Sequence, residues 1–320
     1  MSQSATQSAG QLLDISVALI DRNAENPRLL FRPGELEQLL ESIQKYGVQV
    51  PISVYREKSR YVLIDGERRW RCCLKLNKET IPALVQVKPA PLTNLLLMFN
   101  IHALREQWDL LTIAMKLPRV IALLTKAAGG TPPKERDLSA QTGLSGGVIR
   151  RCKLLMELPD EYKDTILDEL KKPKSKQKLT EDFFIELERA LKTVGRAMPE
   201  LVEDKDAVRR VLIDKYSDGT ISNIVQFRQV GKIARAEKVV ADAGSARGAL
   251  ERLFTENRYG IEAAYRDSVQ GAYDERDLQH RLETLIERLR DVPARSLDAP
   301  IRERLRELLV ILRRLVGSSR

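Results

Sequence analysis

The strand signals of this 320-residue chain stop at Pro91, and this change divides the sequence into two kinds of structure. Before Pro91, short runs of alternating apolar residues, at 52–55 and 61–64, are separated by helical patterns, which predicts a small α/β domain. After Pro91, apolar residues recur at helical spacing. The sequence therefore predicts an α+β N-terminal domain with a small mixed sheet, followed by a mainly α-helical remainder.

The predicted domain organisation has five segments. Residues 1–13, which are uncharged and rich in Ser, Gln and Ala, predict a disordered tail. Residues 14–90 form the α/β domain, and residues 91–170 form a helical domain. The lysine-rich segment 171–178 (KKPKSKQK) predicts an exposed basic linker. Residues 179–320 form a helical C-terminal region, whose last apolar face predicts a packing or dimerisation seam made of Ile301, Leu305, Leu308, Leu309, Leu312 and Leu315.

The charge balance favours a polyanionic partner. The chain has 54 Lys and Arg against 45 Asp and Glu, a net charge of +9, which is typical of proteins that bind nucleic acid. Aromatic residues make up 5%, too few for a base-stacking surface that binds single strands. Three cysteines without CxxC spacing and two histidines argue against a zinc site or a disulfide framework. Because no membrane span or signal-peptide pattern is present, we expect a cytoplasmic protein without a membrane partner.

The segment DGERRWR, which follows the apolar strand YVLI, is the most informative candidate site. Gly66 permits a tight turn and close approach of a ligand to the backbone. The free N–H groups and the dipole at the start of the next helix attract an anion. Arg68, Arg69 and Arg71 can fork onto phosphate oxygens. The segment predicts a phosphate-binding turn; the alternative is a helix start whose arginines pair with acids such as Glu67.

Residues 136–158 (RDLSAQTGLSGGVIRRCKLLMEL) are typical of a helix-turn-helix, although any helical hairpin buries similar positions. Gly143 supplies the turn, and Ser145 can cap the second helix. Apolar residues fall where the two helices would pack, at Leu138, Leu144, Val148, Ile149 and Leu154. The second helix would enter the major groove of double-stranded DNA. The candidate DNA-binding residues are Ser145, Gly146, Arg150, Arg151 and Lys153.

From Asn26 to Val87 the sequence resembles the N-terminal domain of ParB-type partition proteins. The matching pieces are NPR, ELEQLLESIQKYGVQVPISV and DGERRWRCCLKLNKETIPALV, in the family's order and spacing. The helix-turn-helix pattern after this domain matches the family arrangement, so the resemblance covers about residues 14–170. It implies the small mixed-sheet fold that ParB shares with sulfiredoxins. The sulfiredoxin catalytic cysteine corresponds to Glu67 here, which disfavours a redox enzyme.

The resemblance implies that CTP, with Mg²⁺ at its triphosphate, binds at the glycine-arginine turn. The nucleotide-binding residues that it implies are Gly66, Glu67, Arg68, Arg69, Arg71, Asn100, Arg105 and Arg28. Asn100 is also the implied metal ligand. The family has a Glu before this Asn, whereas this chain has Phe99, which cannot bind Mg²⁺. Glu106 or Asp109 could substitute, so CTPase activity stays open and no catalytic residue is assigned.

The leading hypothesis is a dimeric DNA clamp of plasmid or chromosome partition, which binds a specific DNA site and is gated by CTP. The resemblance implies a homodimer and a ParA-like ATPase partner. Because no Lys or Arg precedes Arg22, we expect no arginine finger from residues 1–21. Two alternatives stay open: a sequence-specific transcriptional regulator without nucleotide turnover, and a ParB-like nuclease or kinase. A nuclease needs clustered acids or histidines, which the turn and the helix at 99–109 supply poorly.

Overall fold

The chain folds into two compact units, Met1–Arg189 and Ala190–Arg320, in a computed structural model. The structure describes residues 10–26, 33–103, 109–239, 244–293 and 297–317. The strands are β1 (Gln11–Ser16), β2 (Ile20–Asp21), β3 (Ile52–Glu57), β4 (Arg60–Asp65) and β5 (Thr80–Gln86).

The helices of the first unit are α1 (Pro33–Tyr46), α2 (Glu67–Lys75), α3 (Pro91–Ala103), α4 (Leu110–Ala127), α5 (Glu135–Thr142), α6 (Gly146–Met156), α7 (Asp160–Lys171) and α8 (Glu181–Ala197), within which the division between the units falls. The helices of the second unit are α9 (Lys205–Ser217), α10 (Phe227–Ile233), α11 (Gly244–Thr255), α12 (Ile261–Ser268), α13 (Gln270–Arg290) and α14 (Ala299–Val316). The predicted class, an α+β N-terminal part and a mainly helical remainder, is confirmed.

The sheet is mixed, with the strand order β1-β5-β3-β4-β2. Strand β3 pairs parallel with β5 and antiparallel with β4, while the edge strand β1 pairs antiparallel with β5. Successive side chains along a strand point to opposite faces of the sheet. One face is fully buried at Ile52 and Val54 of β3 and at Ile81 and Ala83 of β5. Residues of α1 and α2 belong to the same apolar core, which fixes the start of α2 against the sheet.

The two adjacent cysteines of α2 belong to this core. Cys72 and Cys73 are fully buried, and burial raises the pKa of both thiols. A thiol with a raised pKa is a poor nucleophile at neutral pH. The two cysteines therefore act as packing residues of the core.

Three boundaries differ from those expected from the sequence. Strand β1 begins at Gln11, so residues 11–13, predicted as disordered, pair with β5. Their side chains are exposed, so these residues show no alternation of apolar and polar side chains. Hydrogen bonding through the backbone alone leaves no such signal in the sequence. Helix α4 continues through Pro118, although a proline inside a helix usually breaks or kinks it. The lysine-rich segment 171–178 lies inside the first unit and does not mark the division between units.

The second unit has a buried core and an exposed C-terminal pair of helices. Leu212, Leu250 and Ile261 are fully buried in its core. In contrast, no described residue of α13 or α14 is buried. The apolar seam of α14 predicted above is exposed or half-buried along its length, and Leu315 is 70% exposed.

Candidate nucleotide and DNA sites

The glycine turn joins β4 to α2 with a backbone that only glycine adopts at low cost. Gly66 has φ +96°, and a Cβ there would lie 2.5 Å from Cγ2 of Ile52 on the neighbouring strand. No side chain caps α2 at this residue. The first-turn amides of α2 therefore have no capping side chain at Gly66, an arrangement that favours an anion at the start of the helix.

The carboxylate of Glu67 gathers the polar side chains beside this turn. Glu67 is 5% exposed, and its Oε1 accepts hydrogen bonds from Nε of Arg22 at 2.8 Å and from Nε of Arg71 at 2.9 Å. Its Oε2 accepts one from Nδ2 of Asn26 at 2.6 Å. The predicted pairing of an arginine with Glu67 is confirmed for Arg71. Two guanidinium groups share one carboxylate, so the cluster carries an excess positive charge.

Arg69 has a different environment from the other arginines of the turn. Its Nη1 donates to the carbonyl oxygens of Val50 and Pro51, at 2.5 and 2.8 Å, and its Nη2 donates to Asp65 at 3.1 Å. These bonds connect the segment before β3 to the end of β4. Arg68 is half-buried, and its charge partly offsets the effect of burial on the pKa of Cys72.

The amide of Asn100 lies at the end of α5. Its Nδ2 donates to the carbonyl oxygens of Leu96, at 2.9 Å, and of Gln141, at 3.0 Å. Its Oδ1 lies 2.8 Å from the place where Gly143 would carry a Cβ. The preceding residue, Phe99, is fully buried in the apolar interior. In the structure, this asparagine connects α3 to α5.

The remaining predicted nucleotide ligands, Arg28 and Arg105, lie outside the described residues, as does Glu106. Asp109 is described and immediately precedes α4. Across the described part of the chain, no three His, Cys, Asp or Glu side chains are grouped as metal ligands. The residues in view therefore do not by themselves form a site for Mg²⁺.

Helices α5 and α6 are joined by a three-residue connection with the predicted turn chemistry. Gly143 has φ +73° at the end of α5, and Oγ of Ser145 accepts a hydrogen bond from the N–H of Val148 at 3.3 Å. The expected cap of α6 is thus confirmed. Val148 is half-buried, and the other residues predicted to pack the two helices are buried, namely Leu138, Leu144, Ile149 and Leu154.

The two arginines of α6 are paired with carboxylates at the protein surface. Arg150 bonds to Glu135 at the start of α5, and Arg151 bonds to Asp182 at the start of α8. The arginine side chains are 66% and 37% exposed. Gly146 leaves room for the carboxylate of Glu135, which would lie 2.8 Å from a Cβ at that position.

The other two predicted DNA-binding residues also lie at this surface. Ser145 and Lys153 are exposed at opposite ends of α6. The side chain of Ser145 is engaged as the helix cap, and its position at the first turn still places it where α6 begins. The structure therefore brings the five predicted residues onto one helix, with the arginines held by acids from neighbouring helices.

Glu181 is a third carboxylate that positions a helix near α6. Its Oε1 accepts a hydrogen bond from the N–H of Leu111 at the start of α4, at 2.7 Å. Burial raises the pKa of this carboxyl to about 7, and the nearby Asp109 and Asp182 act in the same direction. Helix α4 packs on α6, so Glu181 contributes to the support of α6.

Sequence reasoning missed Arg22, Glu135 and Asp182. Arg22 is 45 positions from Glu67, and Asp182 is 31 positions from Arg151. No local spacing links residues this far apart, so the sequence held no signal for these pairs. The sequence indicated only that the arginines of the turn would pair with acids, and Glu67 was the acid nearest to them in the chain.

The fold and the glycine turn define a small mixed-sheet domain, in which Gly66 joins a strand to a helix, followed by further helices. Residues 1–99 match the model of the ParB N-terminal domain family. This part of the chain is therefore similar to the ParB N-terminal domain, and the resemblance seen in the sequence is confirmed.

The chain is similar to ParB-type proteins beyond this domain. It is 28% identical over 162 residues to the nucleoid occlusion protein of Bacillus cereus (strain AH187), a match that covers 49% of this chain and 52% of the relative. The chain thus spans about half the length of the curated relatives it matches. In the part of the chain that the structure describes, no helix is both long and apolar enough to cross a membrane.

Two solved structures of the C-terminally truncated chromosome-partitioning protein ParB from Caulobacter crescentus are also similar. The complex with CTP-gamma-S is 23% identical and covers 56% of this chain and 93% of that chain, with a TM-score of 0.29. The complex with the centromeric parS site is 20% identical and covers 70% of this chain and 98% of that chain, with a TM-score of 0.42.

Proposed function

We propose that this chain is a ParB-type DNA-binding protein of plasmid or chromosome partition, which binds a specific DNA site and is gated by CTP. The observation that carries the proposal is the Gly66 turn, a glycine-formed anion site with excess guanidinium charge inside a ParB N-terminal domain. The positive net charge of the chain is consistent with a polyanionic partner.

The nucleotide triphosphate binds at the start of α2 in this proposal. The first-turn amides of α2 donate to phosphate oxygens, and Arg22 and Arg71 add charge-assisted hydrogen bonds. Glu67 acts as a positioning residue, because its buried carboxylate holds both guanidinium groups in place. Arg69 holds the segment before β3, and Arg68 lies half-buried on the same helix.

Mg²⁺ does not fit the described residues as a protein-held ion. Phe99 is buried where the family has a Glu, and the described residues hold no group of three His, Cys, Asp or Glu side chains that could bind a metal ion. The proposal therefore includes nucleotide binding and leaves out a metal-dependent hydrolytic step. Base selectivity for CTP is taken from the family resemblance.

Helices α5 and α6 form the DNA-reading helix-turn-helix in this proposal, with α6 in the major groove. Arg150 and Arg151 reach the DNA by exchanging their surface carboxylates for phosphate oxygens or base edges. This exchange costs little, because ion pairs exposed to water contribute about 0–1 kcal/mol each. Asn100 connects α3, which contacts β4, to α5, so a change at the nucleotide site has a short physical route to the helix pair.

A homodimer and a ParA-like ATPase are the proposed protein partners. The dimer is supported by the exposed apolar residues of α13 and α14, including Leu278, Ile286 and Leu315. Sedimentation velocity tests this directly: the wild-type chain is expected to sediment as a dimer, and Leu315→Asp is expected to shift it toward the monomer. The ATPase partner is supported by the family alone.

A sequence-specific regulator without nucleotide turnover is the second candidate function. The burial of Phe99 favours it, because an apolar side chain packed in the interior cannot bring a carboxylate to the phosphates. In that case CTP would bind without changing the affinity of the chain for its DNA site. Fluorescence anisotropy with cognate DNA, measured with and without CTP, separates the two functions.

The separation of the two sites is tested with two variants. Arg71→Ala is expected to lower CTP affinity at least tenfold while leaving DNA affinity within about twofold, since a charged hydrogen bond contributes about 1.5–3 kcal/mol. Arg150→Ala combined with Arg151→Ala is expected to do the reverse. Calorimetry with CTP and fluorescence anisotropy with duplex DNA measure both affinities. Loss of both activities in a folded Arg71→Ala protein would contradict two separate sites.

A further inference from the structure

The lysine-rich segment 171–178 is folded around a buried carboxylate. Glu169, in the last turn of α7, is 8% exposed. Its Oε1 accepts a hydrogen bond from Nζ of Lys172 at 2.6 Å, and its Oε2 accepts one from the N–H of Lys178 at 2.8 Å. Gln177 closes the loop by donating from Nε2 to the carbonyl oxygen of Lys172 at 2.9 Å. The segment is therefore a shaped loop, the lysine loop, with both of its ends held.

The charge of Glu169 is retained at neutral pH. Burial alone would raise the pKa of this carboxyl, but the hydrogen bonds from Lys172 and Lys178 outweigh that effect and lower the pKa from its ordinary value. The carboxylate thus stays ionised and continues to hold the loop under conditions in which DNA is bound.

The lysine loop presents cations that the protein does not neutralise. It contains five lysines and no acid, and all five are exposed. Lys171 pairs with Asp168, and Lys172 pairs with Glu169. No carboxylate within the described residues forms an ion pair with Lys174 or Lys176. Holding like charges close together in a shaped loop is unfavourable unless a polyanion covers them.

The loop lies close to α6. It ends at Lys178, and four residues later Asp182 forms the ion pair with Arg151 of α6. Four residues span at most about 14 Å when fully extended. The end of the loop is therefore within that distance of the residue that contacts α6, and the other end follows α7.

We propose that the lysine loop is a second DNA-contacting surface, which binds the phosphate backbone of the duplex beside the site read by α6. This inference rests on the proposed DNA-binding function and adds a contact to it. Lysine ammonium groups on flexible stems act as point charges and suit phosphates more than base edges. The loop has no apolar residue except Pro173, so it lacks the side chains that insert into a membrane interface, which favours DNA over an anionic membrane.

The test is the salt dependence of binding to a labelled duplex of random sequence, measured by fluorescence anisotropy over a range of KCl concentrations. Each neutralised phosphate contributes about 0.9 to the slope of log K against log salt, so K174Q/K176Q/K178Q is expected to lower the slope by about 2–3. The triple Lys→Arg variant at the same positions is expected to keep the wild-type slope. The matched control K45Q/K75Q/K78Q, which removes three exposed lysines of the N-terminal domain, is expected to keep it as well.

The outcomes separate this inference from the function on which it rests. If the wild-type chain does not bind duplex DNA at all, the proposed function fails. If the wild type binds and R150Q/R151Q weakens binding, but K174Q/K176Q/K178Q keeps the wild-type slope, the lysine loop is not a DNA surface and the inference alone is overturned. Loss of binding to phosphatidylglycerol vesicles by that triple variant, with an unchanged DNA slope, would assign the loop to a membrane and also overturn the inference.

Discussion

Gly66 and Gly143 each form a turn before a helix that carries arginines, but the arginines beside the two turns have different partners. At Gly66, Arg71 of α2 and Arg22, which follows β2, both bond to Glu67, which is buried. At Gly143, the arginines of α6 pair with Glu135 and Asp182, whose side chains are 35% and 61% exposed. The same residue types therefore form a fixed cluster in one place and a water-exposed one in the other.

The difference shows how burial of the acid determines what an arginine can do. Removing one partner of a buried pair leaves an uncompensated charge at a cost of about 3–5 kcal/mol, whereas exposed pairs contribute about 0–1 kcal/mol. A buried carboxylate therefore positions guanidinium groups for a ligand that arrives from outside. An exposed carboxylate is a temporary partner, which a phosphate can replace.

The largest expected effect is on the Gly66 turn itself. Gly66→Ala is expected to lower the free energy of unfolding by about 3–4 kcal/mol, because it adds both a strained φ and an overlap with Ile52. Gly129→Ala is the matched control, since Gly129 has φ +66° with open space around it, and it is expected to cost about 1 kcal/mol. Urea denaturation measures both. Equal costs would show that the packing against β3 does not constrain the turn.

The next effect concerns Glu181, the half-buried first residue of α8, whose carboxylate accepts a hydrogen bond from the start of α4. Its folded pKa of about 7 lies above the ordinary value of 4.5, so the folded protein holds this proton more tightly than the unfolded chain. Its contribution therefore makes the protein less stable as the pH rises from 4.5 to 7, by about 3 kcal/mol at most.

Glu181→Gln tests this contribution, because glutamine keeps an acceptor for the N–H of Leu111 and does not titrate. The variant is expected to be more stable than the wild type at pH 8 and to lose that advantage at pH 5. Urea denaturation at both pH values measures the difference. A stability difference that does not change with pH would show that Glu181 is charged at both values.

A smaller effect is expected at Glu67. Glu67→Gln leaves Arg22 and Arg71 without their shared charge, and it is expected to destabilise the first unit by about 2 kcal/mol, since Arg22 is half in water. The variant is also expected to bind CTP more weakly, because the guanidinium groups lose their positions. Calorimetry at a temperature where the variant is folded measures the affinity. Unchanged affinity would remove Glu67 from the positioning role.

The smallest effect on stability is expected at the surface pairs of α6. Glu135→Gln is expected to change the free energy of unfolding by less than about 0.5 kcal/mol. It is expected to strengthen DNA binding, because Arg150 no longer exchanges a carboxylate for a phosphate. Anisotropy with duplex DNA measures this, and Glu161→Gln, on the exposed start of α7, serves as a control for the change in net charge. A large loss of stability would show that the Glu135–Arg150 pair contributes as much to stability as the buried cluster at Glu67.

Local patterns predicted the elements of the first unit well. Strands β3 and β4 lie where the apolar runs at 52–55 and 61–64 indicated, and Gly143 and Ser145 have the predicted turn and cap geometry. These features depend on residues a few positions apart, which a single sequence displays. The approach of Arg22 to Glu67 and the place of residues 171–178 within the first unit depend on the tertiary fold, which a single sequence does not display.

The central claim, that the fixed arginine cluster at Gly66 binds a nucleotide that communicates with the DNA-binding helices, is tested most directly by calorimetric titration. CTP, ATP and GTP are titrated into the wild-type chain with Mg²⁺, in the presence and absence of cognate DNA. The account predicts selective binding of CTP, with an affinity that DNA changes. Binding of no nucleotide, with DNA binding retained, would contradict it and leave the Gly66 turn as a structural feature of a DNA-binding regulator.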